Sequence, residues 1–391
     1  MKSFIPLSVP NLKGNELKYV TEAIENEWVS TGGKFINIFE QHIASYVKVQ
    51  EAVACQSGTA GLHLALLLSG VKREDLVIVP TLTFIAAVNP VKYVGALPIF
   101  MDCDDTLTID CEKLESFCEE ECELIEGVLV LKTTKQSVRA IVVVHVFGNM
   151  ANMSRVKEIA SKYKLKVIED ATESLGTYYI SGKYIGQYAG TIGDYGVYSF
   201  NGNKIITTGG GGMLIAQNPK DSQHAKYLST QAKDDELYFI HNEIGYNYRM
   251  TNVQAAIGVA QLERLDEFIK TKKDNYLYYD SLLNEIEGIR LMPFREGISP
   301  NYWFYALVLE KEEYIKRRNQ IIHQLQESGI QTRAIWGLIH KQKPYEKAYN
   351  YKIEKAEYYY DRVINLPCSS NLTKEDIRRV VGVLKSILEN N

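Results

Sequence analysis

The 391-residue chain is 46% hydrophobic and 24% charged, the proportions of an ordinary folded protein, and it is long enough for a large domain plus a smaller one. Its 44 Lys+Arg against 48 Asp+Glu leave a net charge of −4, which offers no strong overall attraction for nucleic acid or an anionic membrane surface. The start, Met1-Lys2-Ser3-Phe4-Ile5-Pro6, lacks the apolar run of a signal peptide and no later stretch is apolar over a bilayer's span, so a cytoplasmic location is expected.

In chain order, β-rich apolar runs fall at 51–55, 76–79, 97–101, 140–146, 165–168, 193–200 and 211–216. Segments with helical spacing at 59–68 and 154–164 separate several of them. This alternation predicts an α/β architecture with a mostly parallel central sheet, covered on both faces. An acidic segment at 112–126, followed by a basic patch at 132–139, interrupts the rhythm and is predicted to be an exposed insertion. Beyond about residue 255 the pattern changes to a long helical stretch over 253–283, a strand-like 302–309 and a helix near 313–328. Thr373 offers an N-cap to a final amphipathic helix ending near Leu388. Together these features predict a large α/β domain over 15–255 and a smaller α+β domain over 256–391, joined by N-terminal residues 1–14. The six cysteines lack CxxC spacing and are too few for a disulfide framework. They are expected to be reduced thiols. Cys118 and Cys122 have no nearby His or second Cys pair to complete a ligand set, so no metal is expected.

Lys204 is the first candidate for chemistry. It follows a run ending in Tyr198-Ser199-Phe200 and precedes Thr207-Thr208 and four glycines, Gly209 to Gly212. A strand-end lysine fenced by small residues and shielded from water becomes a nucleophilic amine able to form imines. The competing reading is a surface lysine beside a flexible turn, and for an isolated lysine that reading is the stronger. The glycine run does not match a nucleotide loop, because it leads into a strand, whereas phosphate loops lead from strand to helix. Ser57-Gly58-Thr59 does have that order, following the apolar 52–55 and opening the helix-patterned 60–68. Its hydroxyls and the first free helix N–H groups suit an anion, and they suit a plain N-cap equally well. Asp170 closes Lys166-Val167-Ile168-Glu169-Asp170, at the carboxyl end of a predicted strand, where α/β proteins place ligands. A carboxylate there suits a pyridine nitrogen that must stay protonated. As an isolated residue it suits a helix cap better.

Taken in order, Trp28-Val29-Ser30-Thr31-Gly32, Ser57-Gly58-Thr59, Phe84, Asp170-Ala171-Thr172-Glu173-Ser174, Ser199-Phe200 with Lys204, and Asn247-Tyr248-Arg249-Met250-Thr251-Asn252 resemble the DegT/DnrJ/EryC1/StrS sugar aminotransferases. The resemblance continues to Leu366-Pro367. It implies a type I aminotransferase fold, pyridoxal 5′-phosphate (PLP) as cofactor, and a homodimer whose active sites are shared between subunits. On the same ground Lys204 holds PLP as a Schiff base and shuttles the proton, Asp170 pairs with the pyridinium, and Phe84 stacks on the ring. Glu173 lies near the phenolic oxygen, Gly58, Thr59 and Ser199 bind the phosphate, and Asn252 reaches the phosphate of the neighbouring subunit. Two positions depart from the family pattern: many relatives carry Gln at the place of Glu173, and Glu at that of Gly210.

The segment His145-Val146-Phe147-Gly148-Asn149, the insertion over 112–139 and the glycine run resemble, more narrowly, enzymes of the legionaminic-acid type. That implies transfer of an amino group from L-glutamate to C4 of a UDP-4-keto-6-deoxy-N-acetylhexosamine, for bacterial glycan or nonulosonic-acid synthesis. C3-specific or dTDP/GDP-sugar aminotransferases of the same family are the alternatives. Sugar dehydratases of the family place His where this chain has Lys204. A PLP-binding regulator would need a basic DNA-binding segment, and the sequence has none.

Overall fold

A computed structural model describes residues 4–235 and 237–389, so the first three residues of the N-terminal segment lie outside it. The main sheet runs in the order Val53–Cys55, Gly212–Ala216, Tyr195–Ser199, Lys166–Asp170, Ser137–Val144, Leu76–Pro80, Leu97–Met101, Tyr349–Tyr351. From Tyr195–Ser199 to Tyr349–Tyr351 every pairing is parallel, and the two strands at the other edge are antiparallel. The sheet is mostly parallel, as expected. Its inner strands are almost wholly buried, Leu76–Pro80 throughout and Lys166–Asp170 after its first residue, which is why they form continuous apolar runs rather than alternating ones.

The chain passes outward from Leu76–Pro80 to Leu97–Met101 and then returns to the opposite side of Leu76–Pro80 with Ser137–Val144. That reversal opens a crevice at the carboxyl ends of the strands, the usual ligand position in such sheets. A second, antiparallel sheet consists of Ile289–Leu291, Tyr305–Leu309, Val363–Leu366 and Arg333–Ala334. No helix among the described residues is long and apolar enough to cross a membrane.

The long helix predicted over 253–283 is two helices, Asn252–Leu262 and Leu265–Leu283. Both halves have apolar helical periodicity, so sequence spacing does not reveal the break between them. The first begins with a capping box, Thr251 accepting from the Gln254 N–H while the Gln254 side chain reaches back. The expected boundary at residue 255 thus falls inside a helix. Likewise the helix expected near 313–328 divides into Glu312–Lys316 and Arg318–Glu327. Thr373 caps the last helix, its Oγ1 accepting the Asp376 N–H at 3.1 Å.

The acidic insertion is more than an exposed excursion. Helix Cys111–Glu120 buries Leu114, Phe117 and Cys118, and the hairpin Cys122–Ile125/Val128–Leu131 adds to the main sheet through Ser137–Val144. Its carboxylates also serve the edge strand Tyr349–Tyr351, Glu121 accepting from Tyr349 Oη at 3.1 Å and Glu120 from Tyr351 Oη at 2.5 Å. The charges seen in the sequence lie on one helix face, and the apolar residues between them are what anchors the segment.

Candidate active site

Seven of the eight residues predicted for cofactor binding and catalysis line one cavity of about 370 Å³: Gly58, Thr59, Phe84, Asp170, Glu173, Ser199 and Lys204. They come from the carboxyl ends of adjacent strands and from the start of helix Gly58–Leu68, so the sheet reversal is what assembles them.

At one end the helix N-terminus faces the cavity. Ser57 is the N-cap, its Oγ accepting from the Ala60 N–H at 3.1 Å, so its oxygen serves the plain capping role. Gly58 is boxed in: a Cβ there would lie 3.0 Å from Ser199 Cβ and 3.0 Å from Thr172 Cγ2. A side chain would fill the space in front of the helix's free N–H groups, and its absence leaves a cradle for an anion. Phe84, 55% exposed, stands at the cavity wall with its ring uncovered.

At the other end two buried carboxyls converge on the lysine. Lys204 Nζ lies 3.7 Å from Glu173 Oε1. Glu173 Oε2 accepts the Phe147 N–H at 2.8 Å, a bond for which Phe147 adopts a left-handed backbone with φ 58°. Burial pushes the Glu173 carboxyl up to about 7, against the opposing charge of Lys204 and the Phe147 hydrogen bond. Asp170 is also raised by burial, opposed by hydrogen bonds from Thr172 and the Lys204 charge; its Oδ1 accepts the Thr172 N–H at 3.1 Å. On the other face of the same strand, Glu169 is held by His145 Nε2 at 2.8 Å and by the N–H groups of Gly190, Ile192 and Gly193. The backbone N–H of Ala151 points at His145 Nδ1, which leaves the proton on Nε2 facing Glu169. This pair ties the 190–193 loop to the strand end that presents Asp170.

The raised Glu173 carboxyl sets a pH dependence. A carboxyl whose folded value lies above its unfolded one adds stability that is full below about pH 4.5 and is lost as the pH rises through about 7. Glu173→Gln is therefore expected to remove part of the fall in stability of the cofactor-free protein between pH 5 and 8, on the order of 3 kcal/mol at most. Denaturant unfolding of both proteins across that range checks it, and parallel curves refute it.

Asn252 is the exception among the predicted residues. It does not line the cavity, its Oδ1 accepts the Phe35 N–H at 2.9 Å, its Nδ2 donates to the Trp28 carbonyl at 2.6 Å, and it is 2% exposed. Both ends of the amide are thus engaged within the same chain, fixing the 28–35 segment against helix Asn252–Leu262. The amide nitrogen carries a second N–H beyond the one given to Trp28, and Asn252 lines a separate cavity with Trp28, Gly33 and Lys34.

Sequence reasoning missed Thr172, Trp303 and Trp336, which also line the cavity. Trp303 and Trp336 lie roughly 100 positions or more from Lys204 in the sequence, and no local motif announces them. The segment of Trp303 is keyed to the site by Asn301, fully buried, whose Nδ2 donates to the carbonyls of Glu173 at 2.9 Å and Leu175 at 3.0 Å. Gly148, at φ 89°, leaves room for this amide; an added Cβ would overlap Asn301 Oδ1. Gly148→Ala is expected to destabilise the protein by about 3 kcal/mol through strain and overlap. A midpoint of chemical denaturation unchanged from the parent would refute it.

A cavity-lining lysine, a buried carboxyl at a strand end and an anion cradle at a helix N-terminus fit a phosphorylated pyridine aldehyde. Comparison with known proteins agrees: the model of the DegT/DnrJ/EryC1/StrS aminotransferase family matches residues 10–385, and the chain belongs to that family. It is 37% identical to the putative pyridoxal phosphate-dependent aminotransferase EpsN of Bacillus subtilis, covering 98% of this chain and 96% of that one. It is also 37% identical to the GDP-perosamine synthase of Caulobacter vibrioides, over 98% of both chains. Among solved structures, the aminotransferase TlmJ of Streptoalloteichus hindustanus superposes with a TM-score of 0.87 at 26% identity, over 99% of each chain. The protein is a PLP-dependent sugar aminotransferase.

Proposed function

We propose that the protein transfers an amino group from L-glutamate to C4 of a UDP-linked 4-keto-6-deoxy-N-acetylhexosamine, with Lys204 as the residue that carries PLP and moves the proton. The observation that carries this reading is the placement of Lys204 Nζ 3.7 Å from Glu173 Oε1, in the cavity that Asp170 and Gly58 also line. When bound, PLP supplies an electron sink that stabilises negative charge at the substrate carbon. The chain's own groups do the rest. Gly58, Thr59 and Ser199 bind the phosphate at the helix N-terminus, and Asp170 holds a proton at the ring nitrogen. Phe84 covers the ring, and Glu173 offers its carboxyl proton to the phenolic oxygen, which removes the repulsion two anions would suffer there.

We further propose that the working form is a homodimer. Leu237, Tyr238, Phe239 and Ile244 are 75%, 72%, 69% and 85% exposed, and Trp28 is 60% exposed. Apolar side chains so bare in one segment favour burial against a second copy. Sedimentation of the purified protein tests this, and a monomer at micromolar concentration rejects it.

Borohydride reduction followed by peptide mapping tests the cofactor link. A phosphopyridoxyl group on Lys204 is expected, and an unmodified Lys204 peptide overturns the assignment. Incubation of UDP-, GDP- and dTDP-4-keto sugars with glutamate, with the amino carbon located by NMR, tests the acceptor. A GDP-linked acceptor is the second reading, favoured by 36–37% identity to two GDP-perosamine synthases, and preference for it would replace the UDP assignment. Amination at C3 would reject C4.

A further inference from the structure

Trp303 is nearly buried, 3% exposed, and lines the cavity. The Lys204 ammonium sits over its indole face, 4.3 Å from the ring centroid. This is well inside the range at which an aromatic quadrupole attracts a cation. The ring N–H donates to the Asn203 carbonyl at 2.8 Å, one residue before the lysine. The indole therefore touches the lysine at its tip and at the foot of its loop.

The tryptophan is itself held from behind. Its backbone N–H donates to Asn301 Oδ1 at 2.9 Å, and its carbonyl accepts from Lys272 Nζ at 3.0 Å. Lys272 is buried, and its ammonium also donates to the Cys368 carbonyl. An ammonium buried without a carboxylate is costly, which lowers its affinity for a proton. Here it secures one peptide carbonyl, that of Trp303, to another chain segment. Asn301 in turn grips the Glu173 and Leu175 carbonyls, so the arm carrying Trp303 is locked to the turn that carries Glu173.

We propose that Trp303 is a further residue of the catalytic site, whose indole face seats the charged Lys204 amine and aims it into the cavity whenever the lysine is free of cofactor. The inference rests on the assignment of Lys204 as the reacting amine. The Glu173 and Asp170 carboxyls also interact with the lysine's charge. Their contribution is common to all variants that alter only the ring of residue 303.

Site-specific replacement of Trp303 by mono-, di- and trifluorotryptophan drains the ring's negative face while keeping its shape. In the cofactor-free protein the rate of Lys204 acetylation by acetic anhydride, read by mass spectrometry of its peptide, reports the free amine. Weaker attraction for the charged form releases more free amine, so acetylation is expected to quicken stepwise, about threefold to tenfold across the series. Rates that do not change with fluorination overturn the proposal, whereas a merely structural tryptophan would give that flat result. Trp303→Leu, which loses both face and ring N–H, should exceed the trifluoro variant in rate if folded, and a rate equal to the parent's also overturns it. Failure of borohydride trapping at Lys204 in the unmodified protein would instead remove the cofactor assignment, because acetylation requires no PLP.

Discussion

Lys204→Ala is expected to lower amino transfer by about 10⁴-fold, with the protein still folded. The magnitude follows from losing one group that, in the proposed roles, is both nucleophile and proton carrier, since positioned acid–base catalysis alone contributes about 10² to 10⁴. The fold should tolerate the change because the lysine side chain keeps 13% exposure and, among the described residues, meets Glu173 at 3.7 Å and the Trp303 ring rather than a short hydrogen-bond partner. Removal of its charge should, however, push the Glu173 and Asp170 carboxyls further up, since Lys204 is among the groups that hold both down. Steady-state rates with glutamate and a keto sugar, beside thermal unfolding of the cofactor-free protein, check both parts. A variant retaining a tenth of parental activity would show that another group carries the proton.

Asp170→Asn is the second. It should reduce kcat by about 10² to 10³, the scale of removing one preorganised electrostatic partner, while trapping of PLP on Lys204 still proceeds. The carboxyl sits at the end of Lys166–Asp170 with Oδ1 on the Thr172 N–H, and an amide oxygen can keep that bond. What an amide cannot do is hold a proton at the ring nitrogen as an anionic partner. Because burial already disfavours the charged carboxyl, the neutral amide should leave the cofactor-free protein at least as stable as the parent. Unchanged kcat would assign the ring nitrogen to another group, and loss of trapping would place Asp170 in cofactor retention instead.

The α/β class was legible because inner parallel strands must be apolar on both faces and the connecting helices on one, and these patterns survive in runs such as 76–79 and 165–168. Breaks inside helical stretches were not legible: 263–264 interrupts no apolar periodicity, and only the packing of both helices decides the bend. The contacts of Asn252 were not legible for a related reason. An amide next to a helix start looks available in a sequence, and its engagement with Trp28 and Phe35 depends on residues more than 200 positions away.

By itself, the sequence determined a mostly parallel α/β protein and singled out Lys204, Asp170 and Ser57-Gly58-Thr59 as candidates. Each lies at the end of a predicted strand, beside a glycine turn or a helix signal, and that local grammar is written in neighbouring residues. Only the tertiary structure decided that these points converge in one cavity, that Glu173 is raised by burial beside Lys204, and that Trp303 lies beneath the amine. Convergence, desolvation and ring contact are properties of distance between segments far apart in the chain, and distance is set by the strand order of the folded sheet.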